Sequence, residues 1–94
     1  MPVAAHTKLR LAPQTVIHAL EDTLVLLDVN TGVYYNVDSA GVMLEEMFGA
    51  EMTLGQLAES VSREYEVEAQ EALADLVELA EQLLAEGLVV VNED

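Results

Sequence analysis

The chain has 94 residues, no cysteine, and a formal net charge of −15 from 18 acidic against three basic side chains. That length supports a single hydrophobic core, and an apolar content of 52% fills it without disulfides or thiolate metal sites. The charge excludes affinity for phosphate backbones and anionic lipid, which rests on Lys and Arg, and favours a basic partner drawn in most strongly at low salt.

No stretch approaches the roughly 20 apolar residues of a membrane span. The N-terminus, Met1-Pro2-Val3-Ala4-Ala5-His6, lacks a basic region leading into an apolar run. A soluble cytoplasmic protein is expected: one domain over residues 1–94, with 1–12 a partly flexible N-terminal arm and 13–91 the folded body. Within the arm, Lys8-Leu9-Arg10-Leu11 alternates polar and apolar and predicts at most a short edge strand before Pro13.

Three strands are predicted next. Val16 to Leu20 is the first, followed by a tight turn at Glu21-Asp22. Thr23 to Val29, dense in aliphatic and β-branched residues, is the second. Asn30-Thr31-Gly32 supplies a three-residue hairpin loop with Gly32 free to take positive φ, and Val33 to Val37 is the third strand. Connections this short allow only antiparallel pairing, hence a meander. The middle strand is apolar on both faces, Leu24 and Leu26 against Val25, Leu27 and Val29, and wants cover on both. The third strand has a neighbour on one side only. Between Val33 and Val37 it carries neither the charge nor the proline that usually blunts an exposed strand edge.

Three helices follow. Asp38 or Ser39 caps the first, which buries Val42, Met43, Met47 and Phe48 and ends at Gly49. Thr53-Leu54-Gly55-Gln56 reads as a capping box opening the second, with Met52 and Leu57 as its hydrophobic staple. Leu54, Leu57, Ala58, Val61 and Tyr65 form its apolar face. The third runs from Glu68 to Glu86 with a stripe of Ala69, Leu73, Leu76, Val77, Ala80, Leu83 and Leu84, widened by Leu79, and stops at Gly87. Leu88 to Val91 predicts a short final strand. The fold class is α+β, a winged helix-turn-helix-like arrangement in which a three-stranded antiparallel meander precedes three helices.

Catalytic chemistry is not assembled by these residues. His6 and His18 stand without carboxylate or imidazole partners at metal-binding spacing, so no metal or cofactor is expected. Asp28-Val29-Asn30-Thr31-Gly32 resembles the opening of a calcium loop, but the glycine comes one position early and the twelfth-position glutamate is missing; it is a turn. The carboxylates lie on helix exteriors or in loops, away from the desolvated clefts that acid–base work requires. Asp38-Ser39 opening a helix in an acidic chain resembles the phosphopantetheine site of an acyl carrier. Carriers, however, are helical bundles and generally place leucine where this chain has Ala40. DNA recognition is excluded because the third helix presents Glu68, Glu71, Asp75, Glu78, Glu81 and Glu86 and no basic residue.

From about Pro13 to Val91 the order of short signatures resembles the PqqD-like family, the leader-peptide recognition elements of pathways that modify ribosomally made peptides. The resemblance rests on Leu26-Leu27-Asp28, Thr31-Gly32-x-Tyr34-Tyr35-x-Val37, Ser39-Ala40-Gly41, Tyr65 followed by Val67, and Leu83-x-x-x-Gly87-Leu88-Val89. Val37-Asp38 departs from the Leu-Asn of many relatives. The resemblance implies that the leader of a precursor peptide lies between the third strand and the third helix and pairs with the open edge, the strand-addition mode of recognition. Val33, Tyr34, Tyr35, Asn36 and Val37 would supply the backbone ladder. Leu73, Leu76, Val77 and Ala80 would line pockets, and Glu71, Asp75 and Glu78 would attract lysines of a basic leader. Alternation sends one of Tyr34 and Tyr35 inward and the other outward, with the sequence silent on which. The resemblance further implies a monomer or weak dimer serving a maturation enzyme. The stand-alone lasso-peptide type with its leader peptidase is favoured; the alternatives are a PqqD-type chaperone for a radical SAM enzyme and a carrier modified at Ser39.

Overall fold

The structure, a computed structural model, describes residues 3–20, 23–38, 47–49 and 51–92. Its elements in chain order are β1 (Leu9–Leu11), β2 (Thr15–Ala19), β3 (Thr23–Asp28), β4 (Tyr34–Asp38), α1 (Leu54–Tyr65), α2 (Ala69–Ala85) and β5 (Val89–Val91). The meander is a three-stranded antiparallel sheet in the order β2-β3-β4. The turn at Glu21-Asp22, Ser39 and most of the first expected helix lie outside the described residues. Of that helix Met47 to Gly49 are helical, with Met47 fully buried. Gly49 is itself helical, and the left-handed residue that follows it is Glu51, at φ 56°.

Burial phases the sheet. Leu24, Leu26 and Asp28 of β3 and Val37 of β4 are buried on one face, whereas Val25 and Leu27 are half-buried and Val16 and Tyr34 exposed on the other. The second face of the middle strand is therefore covered less than its apolar sequence suggests. The inner face joins a core formed by Leu54, Leu57, Ala58 and Val61 of α1 and by Ala72, Leu76, Ala80 and Leu83 of α2.

Both helix boundaries follow from local hydrogen bonds. The Gln56 amide donates to Thr53 Oγ1 at 3.1 Å and the Thr53 amide donates to Gln56 Oε1 at 2.9 Å, the reciprocal capping box. Tyr65, expected on the buried face, is 46% exposed because it sits in the last turn, where Glu66 enters the left-handed region and the chain leaves the core. Ala69, expected in the stripe of α2, is exposed at its first position, and Ala72 fills the seam instead. At the far end Gly87 takes φ 75°. The Leu88 amide donates to the Leu83 carbonyl at 3.0 Å and the Gly87 amide to the Leu84 carbonyl at 3.1 Å, with Leu83 and Leu88 both fully buried beside this Schellman cap.

The chain ends are woven into the body. β1 pairs antiparallel with β5 in a second, two-stranded sheet, Leu9 opposite Val91 and Leu11 opposite Val89. Ahead of it the arm lies across the start of α1. The amides of Leu54 and Gly55, free donors of a helix N-terminus, donate to the carbonyls of Thr7 at 2.9 Å and Ala5 at 2.8 Å, and Val3 is buried in the core. Gly55 permits this approach, since a Cβ there would stand 3.2 Å from the Ala5 oxygen. Among the described residues no helix is long and apolar enough to cross a membrane.

Among the described residues one buried side-chain group is left unsatisfied. Thr15 is 7% exposed and its Oγ1 has no hydrogen-bond partner, although its backbone amide donates to Ala12. Thr15→Val keeps the branched shape and removes the stranded hydroxyl. It is expected to raise unfolding stability by about 1 kcal/mol, read as a higher midpoint in urea with an unchanged slope.

Candidate functional site: the free edge of the fourth strand

Strand β4 is the last in its sheet, and its hydrogen-bonding phase can be read from its ends. The Asp28 amide donates to the Val33 carbonyl at 2.8 Å, so the pair Asp28–Val33 is hydrogen-bonded. Alternation then makes Leu26–Tyr35 and Leu24–Val37 the bonded pairs and Leu27–Tyr34 and Val25–Asn36 the non-bonded ones. The other side of β3 agrees. The Leu20 and Thr23 backbones bond each other, and the Val29 amide donates to Gln14, which turns the groups of Thr23, Val25, Leu27 and Val29 towards β2. The backbone groups of Tyr35 and Val37 therefore face β3, whereas those of Tyr34 and Asn36 face away from the sheet. Among the described residues neither Tyr34 nor Asn36 bonds another backbone group there.

The same register decides the tyrosines. Tyr35 stands opposite buried Leu26 and is half-buried, with its ring packed against the core; Tyr34 lies on the outer face, 63% exposed. The Tyr35 hydroxyl donates to Gln82 Oε1 and so ties the edge strand to α2. On a helix Gln82 shares one stripe with Glu78, Asp75 and Glu71, and all four are exposed. Tyr35 thus brings Gln82, which lies on the acidic stripe of α2 and outside its buried seam, next to the edge strand.

The other expected pocket residues divide between core and surface. Leu76 and Ala80 are 3% and 0% exposed and belong to the core, as does Val37. Leu73 and Val77 are half-buried and packed against the core on the flank of the seam opposite Gln82. Val33 and Asn36 are exposed. Leu79, half-buried, lies between the seam and the Gln82 stripe. Gln82 was not singled out from the sequence. Its only local sign is that it is the one uncharged member of an otherwise acidic stripe, and its partner is 47 residues away.

The loop feeding β4 is braced by Asp28. Its Oδ1 accepts from the amides of Asn30 at 2.9 Å and Thr31 at 3.2 Å, and its Oδ2 accepts from Gln14 Nε2 at 3.2 Å. These bonds hold Val29 in the loop as well, so the connection is longer than the expected three residues, with Gly32 at φ 79°. Gln14 Nε2 also donates to the Gly87 carbonyl at 3.4 Å, linking the loop to the end of α2. Among the described residues no group of three or more His, Cys, Asp or Glu side chains is gathered as a metal ion would require.

Residues 23–89 match the family described as coenzyme PQQ synthesis protein D (PqqD), and the chain belongs to that family. No curated protein matches it. Solved structures share the fold, two of them as follows. One is TbiB1 in complex with the TbiA(beta) leader peptide, with a TM-score of 0.78 and 21% identity over 90% of this chain and 99% of that one. The other is lasso peptide synthetase B1 complexed with the leader peptide, with a TM-score of 0.77 and 24% identity over 88% of this chain and 98% of that one. The family and the α+β architecture expected from the sequence are both borne out.

Asp28 makes the loop sensitive to acid. Burial raises its carboxyl pKa, but the hydrogen bonds from Asn30, Gln14 and Thr31 outweigh burial and hold it below the ordinary value of 3.8. A depressed folded-state pKa contributes stability that is present above the unfolded value and is lost as pH falls through the folded one. Acid titration of stability from about pH 6 down to about pH 2 is expected to show a steeper loss for the wild type than for Asp28→Asn, which has no carboxylate to protonate.

Proposed function

We propose that this chain binds the leader segment of a ribosomally synthesised precursor peptide as an added strand on the free edge of β4, beside α2, and presents it to a maturation enzyme. The observation that carries this reading is the outward row of backbone groups at Tyr34 and Asn36. A fourth strand satisfies those groups through main-chain bonds that tolerate many sequences, and side chains on alternate guest residues then select among peptides. Family membership supports it, and so do the two similar solved structures, each determined with a leader peptide bound.

Charge selects the class of guest. With a net charge of −15 and with Glu71, Asp75 and Glu78 exposed on the helix stripe whose member Gln82 meets the edge strand, a leader carrying lysine or arginine is drawn in and an acidic one repelled. The enzyme served is a lasso-peptide leader peptidase, the reading favoured by the lasso peptide synthetase neighbour over a radical SAM partner. The chain itself acts as an adaptor without cofactor. A guest strand of about ten residues buries an area near the low end of specific interfaces, which corresponds to dissociation constants of roughly nanomolar to micromolar order.

Asn36→Pro tests strand addition directly. The Asn36 N–H points away from β3, so proline there removes an outward donor and leaves the β3–β4 ladder intact. Calorimetric titration with the leader of the precursor is expected to show affinity reduced on the order of tenfold or more, with an unchanged circular dichroism spectrum. Undiminished affinity in a folded variant would rule out this edge as the binding site.

A further inference from the structure

The bridge between Tyr35 and Gln82 carries a consequence for which peptides fit, and this inference rests on the strand-addition reading. A guest residue opposite Tyr35 places its side chain on the same face as the Tyr35 ring, with the two Cβ atoms about 5 Å apart. It therefore lies over the bond that Tyr35 makes to Gln82. In that bond the Tyr35 hydroxyl is the donor and Gln82 Oε1 the acceptor, so the Gln82 amide nitrogen keeps two N–H donors. Among the described residues that nitrogen has no hydrogen-bond partner, and with Gln82 exposed its hydrogens face water. A guest side chain that covers it without accepting a hydrogen bond strands a donor, and sites built this way discriminate strongly against apolar analogues.

We propose that the Tyr35–Gln82 pair is a specificity element that selects a neutral hydrogen-bond acceptor, Asn, Gln, Ser or Thr, at the guest position opposite Tyr35. Lys and Arg have no acceptor atom, so the Gln82 nitrogen does not select them, and their attraction to the acidic stripe acts along the whole strand and not at this position in particular. Asp and Glu have acceptors, but Asp75 and Glu78 on the same stripe, together with Glu86 one turn further on, repel a second carboxylate. Leucine or valine would pack on the Tyr35 ring and leave the Gln82 nitrogen dry. Basic residues of the leader act from other positions along the strand.

The test is a display library of random peptides about ten residues long, selected in parallel on wild type, Gln82→Leu and Asn36→Pro. Gln82 is exposed, so its replacement leaves the core untouched. Wild type is expected to enrich Asn, Gln, Ser and Thr at a single position. Gln82→Leu is expected to shift that position alone to Leu, Ile and Val, with the positions two residues to either side unchanged. A representative selected peptide should lose about tenfold in affinity for wild type when its acceptor residue is replaced by alanine, and no more than twofold for Gln82→Leu. Identical preferences for wild type and Gln82→Leu would overturn the inference while leaving strand addition standing, provided Asn36→Pro loses the selected peptides. Peptides that bind Asn36→Pro as well as wild type would instead remove the strand-addition reading, and this inference with it.

Discussion

A backbone N–H or C=O taken from water without a partner costs more than a completed hydrogen bond returns, and the outer row of β4 carries groups that have no backbone partner among the described residues. Water satisfies them in the free chain. A second polypeptide satisfies them equally well, provided it arrives extended and in register. The remainder of the molecule can be understood as what holds that row straight and open. β3 turns one set of backbone groups to β2 and the alternate set to β4, so the edge strand is bonded on its inner side and, among the described residues, unbonded on its outer.

Rigidity of the edge comes from both ends. Asp28 collects two loop amides and the Gln14 side chain just before β4 begins, and Gln14 reaches on to the Gly87 carbonyl at the end of α2. Tyr35 makes the second tie, to Gln82. Among the described residues, sheet and last helix are thus joined at two places besides their shared core. An edge held in this way loses little conformational freedom when a guest binds, which is how a small interface reaches useful affinity. The clamp of β1 on β5, and the arm over the start of α1, fix the helices from the opposite end of the chain.

Much of this was legible before any coordinates. Thr53 and Gln56 announce the start of α1, Gly87 the end of α2, and the uncharged, proline-free run from Val33 to Val37 announces an unprotected edge, because each of these depends on residues close in sequence. Contacts between distant residues were not legible. Leu9 to Leu11 is too short to predict as more than a fragment, and its partner is at the other end of the chain. Alternation required one tyrosine inward and one outward, but the choice belongs to the register that sets Tyr35 opposite Leu26. The acidic stripe was visible as helix periodicity, whereas the contact of its one uncharged member, Gln82, with the edge strand was not. Leu76 and Ala80, which the family resemblance makes pocket walls, are enclosed in the core; periodicity identifies the apolar face of a helix but not what it faces.

In the proposed function the net charge of −15 acts at longer range than any of these contacts and gathers basic peptides before the edge engages them. Binding itself is assigned to the backbone of two residues, and amide hydrogen exchange resolves them. Without peptide, the Tyr34 and Asn36 amides should exchange rapidly while those of Tyr35 and Val37 are protected by β3. With saturating leader peptide, Tyr34 and Asn36 should become protected and the other two should change little. Amides at Tyr34 and Asn36 that are already slow in the free chain, or that stay fast when the leader is bound, would contradict the account.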